Sequence, residues 1–188
     1  MKIIPSILLA LSVTTAAATS SSVDTQNEKV THFEDFMDGL LTGALEESDP
    51  LIQKCVQDGE TVLETITTAV RDIEEETSES VKEGIELMGQ AIQEASQDLI
   101  ECKTALADAE KLEEMALSLK HPLSFVWNAG KNIVVNHVEI QKEIGAAIDA
   151  WNEKDYYDAG FNIGEALAAA FVPGEFLLLD EEEIQRLA

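Results

Sequence analysis

The chain has 188 residues, 37 acidic against 12 basic side chains and a formal net charge of -25. That length fits one domain or at most two small ones, and 45% hydrophobic residues are enough to fill a core, which excludes full disorder. A sequence pI near 4.2 excludes a broad basic footprint for nucleic acid and electrostatic adhesion to an anionic membrane.

Residues 1–18 read as a signal peptide. Lys2 supplies the short positive region, Ile3 to Leu11 an apolar run, and Ala16, Ala17 and Ala18 a small-residue cleavage site. The run is short for a lasting membrane helix, which needs roughly 20 apolar residues. The expected location is therefore outside the cell, or a secretory granule or lysosome-like compartment. Residues 19–29 are poor in apolar side chains and read as a flexible leader. Residues 30–188 read as a single helical domain with an acidic C-terminal tail.

From Val30 onward apolar residues recur every three or four positions, the spacing of amphipathic helices. The first helix is expected over Phe33–Leu45, carrying Gly39 and Gly43 one turn apart. Asp49 and Pro50 can start a second helix, running to Glu76. Thr77 to Ser80 break the pattern, and Ser78 or Ser80 can open a third helix. That helix reads unbroken from Val81 to Leu119, with room for a kink near Leu112, until His121-Pro122 stops it.

Pro122 to Gly130 reads as one or two helical turns. A fourth long helix is expected over Asn132–Trp151 and a fifth over Asp155–Phe171, ended by Pro173-Gly174. Phe176 to Leu179 reads as an extended tail, and Asp180 can cap a last turn. The expected fold is all-α: an up-and-down bundle of about five helices with a long antiparallel hairpin.

Cys55 and Cys102 are the two cysteines. They lie equally far from the Thr77–Ser80 turn, on the apolar stripes of two expected antiparallel helices, so they fall at one height. An exported chain meets an oxidising compartment, so a Cys55–Cys102 disulfide pinning the hairpin is expected. Two buried free thiols are the plainer alternative.

Three groups of residues invite both a structural and a functional reading. Gly39/Gly43 and Gly160/Gly164 suit two helices that cross closely, or alternatively a ligand tail or another chain. Phe125, Trp127, Trp151, Tyr156, Tyr157, Phe161 and Phe171 can converge as the densest part of the core, or alternatively Trp127, Trp151, Tyr157, Phe161 and Phe171 line an apolar pocket. Asn128, Asn132 and Asn136 would form a ladder along one helical face that bonds neighbouring backbone, or alternatively lines a polar cleft.

The chemistry of catalysis is not visible. His32, His121 and His137 have no metal-type spacing; His121 sits where a helix end favours a cation, and His137 can point inward. Glu74-Glu75-Glu76, Glu113-Glu114 and Asp180 to Glu183 are acidic runs rather than calcium loops. No cofactor, metal site or catalytic residue is expected, beyond weak diffuse calcium binding. The expected function is that of a secreted acidic helical protein, not an enzyme, acting by protein interaction or self-association, with a cation-responsive granule or extracellular role. The alternative is a carrier of a small apolar molecule in a bundle cavity. Nucleic acid and, for the mature form, membrane are not expected partners.

Overall fold

The computed structural model describes residues 20–45, 59–100, 106–128 and 132–171. Among the described residues nine elements follow one another: α1 (Ser20–Leu45), α2 (Gly59–Glu74), α3 (Ser78–Ile100), α4 (Leu106–Lys120), β1 (Phe125–Asn128), β2 (Asn132–Val135), β3 (Val138–Glu139), α5 (Gln141–Glu153) and α6 (Tyr156–Ala170). The protein is mostly helical, with a small antiparallel sheet that the all-α reading did not contain. The signal segment 1–18, both cysteines and the acidic tail lie outside the described residues.

The apolar stripes do what their spacing demands. On α2, Val62, Ile66, Ala69, Val70 and Ile73 are buried. On α3 the buried set includes Val81, Ile85, Met88, Ile92 and Leu99. These stripes meet those of α1 (Phe36, Leu40) and α4 (Leu112, Leu119) in one core. Each buried aliphatic side chain contributes about 1.5–3 kcal/mol, so no single contact holds the bundle.

Local chemistry fixes the turns. Glu76 takes a positive φ of 53° after α2. Thr77 then caps α3: its Oγ1 accepts the Ser80 N–H at 3.1 Å, while the Thr77 N–H donates to Ser80 Oγ at 3.3 Å. This is a reciprocal capping box, with the shorter serine in the usual glutamate position. α2 and α3 then pack so closely that a Cβ on Gly84 would stand 2.7 Å from the Ala69 carbonyl oxygen.

Four stretches depart from the sequence reading. The first helix begins at Ser20 rather than Phe33, taking in the segment read as a flexible leader. No glycine or proline interrupts it before Gly39, so its polar residues simply extend the coil. The single helix expected over Val81–Leu119 is two helices, α3 and α4, with residues 101–105 outside the described set. α4 returns antiparallel along α3: Gln97 Nε2 donates to Glu113 Oε1 at 3.4 Å, and Lys120 Nζ to Gln93 Oε1 at 2.8 Å. Both halves keep the same apolar stripe, and no proline or glycine marks a break, so periodicity alone runs straight through it.

The third and fourth departures are the sheet. The expected helical turns after Pro122 are β1, and the start of the expected fourth helix is β2 and β3. β1 pairs antiparallel with β2, Phe125 opposite Val135 and Trp127 opposite Ile133. β2 then pairs with β3 across a two-residue turn in which Asn136 and His137 both have positive φ, 50° and 68°. The β-branched run Ile133-Val134-Val135 favours a pleated, half-buried strand over a helix. The asparagine ladder is dissolved: Asn128 and Asn132 face each other across the hairpin, and Asn136 occupies the turn.

Candidate functional site

α5 and α6 are joined by Lys154 and Asp155 alone. Lys154 takes the left-handed conformation that closes α5, and Asp155 caps α6 by accepting the Asp158 N–H at 3.2 Å. The short link places two different surfaces side by side.

The first surface is a closed seam between α1 and α6. A Cβ on Gly39 would collide with the Tyr157 carbonyl, and one on Gly43 with the Phe161 carbonyl. Reciprocally, Gly160 lies against the Phe36 carbonyl and Gly164 against that of Leu40. The contacts advance in the same direction along both chains, so the two helices run parallel. Four missing side chains let the two backbones touch, which fills the space a ligand tail would need.

Beside the seam lies an aromatic cluster. The Trp151 ring meets Phe36 edge-on at 5.9 Å and Tyr156 edge-on at 5.2 Å. His32 stacks on Tyr156 at 4.3 Å. Such pairs add about 0.5–1.5 kcal/mol each beyond burial. Of the aromatics expected to converge, Trp151 and Tyr156 meet here, while Tyr157 is 38% exposed on α6 and Phe171 packs at the far end of that helix. Trp127 stands elsewhere, on β1. Of these residues, the cleft between α2, the sheet and α5 takes in Trp127 alone.

The second surface is a half-open cleft of about 210 Å³ between the C-terminal end of α2, the sheet and α5. Trp127 forms one wall and Ile73, Val81, Ile133 and Ile148 supply apolar lining. Glu74, Glu76 and Asp149 are the acidic residues of the lining, and Gln141 and Gly145 complete it. Asn152 on α5 donates to Glu74 Oε1 at 2.8 Å, which ties α5 to the end of α2. The volume lies below the roughly 300–1,000 Å³ of pockets for drug-sized ligands.

Two residues matter most: Asn136, which the sequence singles out as able to bond neighbouring backbone, and Gly145, which it does not. Asn136 is buried and joins three segments: Oδ1 accepts the Leu123 N–H at 2.8 Å, and Nδ2 donates to the Ala170 carbonyl at 3.0 Å and the Ser118 carbonyl at 3.3 Å. Its low helix propensity was the available signal. Gly145 is the other: a Cβ there would meet nothing within 4 Å.

The histidines also differ from expectation. His137 is exposed in the β2–β3 turn rather than pointing inward. His121 follows α4, but burial and then the neighbouring Lys120 hold its pKa below the usual value, with Glu86 opposing them weakly. Desolvation disfavours the cation there more than the helix end favours it. Among the described residues no group of three histidine, cysteine or carboxylate side chains is placed to hold a metal ion, and no helix is long and apolar enough to cross a membrane.

The fold and cleft thus define a mostly helical protein with a small three-stranded antiparallel sheet and a small recess with acidic residues in its lining. The chain belongs to the SctB-like family, described as "Secreted protein B-like", whose family model matches residues 15–169. Secretion is what that membership supports. Searches of curated proteins and of solved structures returned no match.

Proposed function

We propose that this chain is a secreted, non-enzymatic protein that acts outside the cell by binding other proteins or assembling with itself. The observation that carries the reading is the cleft with acidic residues in its lining, which is smaller than a pocket for a drug-sized ligand and large enough for one side chain. The family's secreted character and the charge of -25 support it: a strong single-sign field keeps the chain soluble and selects partners of opposite charge. Weak calcium binding to the exposed carboxylates and a Cys55–Cys102 disulfide belong to the same proposal. The disulfide is supported by the equal spacing of the two cysteines from the α2–α3 turn, which suits an oxidising exterior.

Sedimentation velocity of the labelled mature chain tests this, in buffer and in the fluid into which it is secreted. The expected result is a faster boundary in that fluid, sensitive to calcium or to pH, with Cys55 and Cys102 linked in an unreduced peptide map. A monomer under every condition, between acidic and neutral pH and with or without calcium, overturns the interaction reading.

A further inference from the structure

We infer that the cleft between α2, the sheet and α5 receives a cationic side chain, an arginine or lysine, of a protein partner. The inference rests on the interaction reading above and names the chemistry of the partner.

Gly145 is the starting point. Gly39, Gly43, Gly59, Gly84, Gly89, Gly160 and Gly164 each lie where a Cβ would press on a neighbour. Gly145 lies within α5, lines the cleft and faces open space. Glycine weakens a helix relative to alanine, and no packing contact compensates for it here. What its missing Cβ does provide is clearance in the recess.

The walls state what that clearance is for. Glu74, Glu76 and Asp149 line the cleft with no lysine or arginine among them. Trp127 offers an indole, the best aromatic surface for a cation, and the apolar lining suits an aliphatic stem. A cavity of about 150 Å³ is known to hold a benzene ring, so 210 Å³ accommodates one long side chain. Because the cleft is half open, its occupant can remain attached to a larger body. The overall negative charge steers a basic partner toward it.

The test is an NMR titration of the ¹⁵N-labelled mature chain with blocked glycine pentapeptides carrying a central arginine, lysine or norleucine. Saturable shifts are expected at the Trp127 indole N–H and the Gly145 amide with arginine or lysine, and binding weaker by about tenfold or more, roughly 1.4 kcal/mol, with neutral norleucine. Gly145→Leu should abolish the response and Gly145→Ala should weaken it. Alanine improves helix propensity, so a loss in Gly145→Ala cannot come from unfolding. Equal response to norleucine, or shifts spread over the acidic surface and unchanged in Gly145→Leu, overturns the inference. A silent titration beside a complex that still forms in the secretion fluid also overturns it, and leaves the interaction reading standing. Peptide binding with no complex in that fluid defeats the interaction reading, and the inferred protein partner falls with it.

Discussion

Gly160 and Gly145 sit on neighbouring helices and serve opposite ends. At Gly160 the absent side chain is replaced by the backbone of α1, so the seam is shut. At Gly145 nothing replaces it, and the cleft stays open. Sequence periodicity sees the same residue type on a helix in both cases. Only the neighbouring element decides whether a glycine is a packing surface or an opening, and that makes alanine or a larger residue at each position a probe of which it is.

The largest effect is expected at the seam. Gly160→Leu drives a side chain into the Phe36 carbonyl, where backbone rather than a flexible side-chain end must yield. Overpacking typically costs about 1–3 kcal/mol and sometimes more; here the loss should reach about 4 kcal/mol. Urea denaturation with circular dichroism measures it, and a loss below about 1 kcal/mol would show that the helices do not touch at that point.

Asn136→Ala comes next. It strands the Leu123 N–H and two carbonyls, and places alanine at a positive φ. One unsatisfied buried group costs about 1–3 kcal/mol, so about 3 kcal/mol is expected in total. Faster hydrogen exchange at the Leu123 amide should accompany it. Unchanged stability would mean that the junction of α4, the sheet and α6 does not depend on this side chain.

The smallest effect concerns His121. Its folded pKa lies below its ordinary value of 6.5, so the unfolded chain takes up the proton first. Stability is therefore expected to fall as pH drops below about 6.5, and to level off once the folded state also protonates. His121→Gln should remove that part of the pH dependence while leaving stability at neutral pH nearly unchanged. An identical pH profile in the variant would place the sensitivity elsewhere.

Legibility in the sequence followed the strength of competing signals. α6 was readable almost to the residue, because Asp155 caps it and the small-residue stripe is unmistakable. The α2–α3 turn was readable because Thr77 to Ser80 interrupts two clear stripes. The glycine pairs suggested a close crossing, and the structure sets their backbones together. The sheet is hidden in the sequence because Ile133 and Val134 continue the helical spacing into Ile140 and Ile144, and that spacing masks the strand preference of a β-branched run only three residues long. The α3–α4 return was missed because the stripe persists on both sides of it. The cleft was not readable at all: Ile73, Trp127 and Asp149 come from three distant segments, and only tertiary packing brings them together.

The contrast between a filled and an open glycine is tested most directly by Gly145→Ala, measured for stability and for arginine-peptide affinity in the same preparation. The expected result is a chain stabilised by about 1 kcal/mol that binds the peptide more weakly than the original. A chain that is more stable and binds equally well would contradict it, because the space beside Gly145 would then serve no occupant.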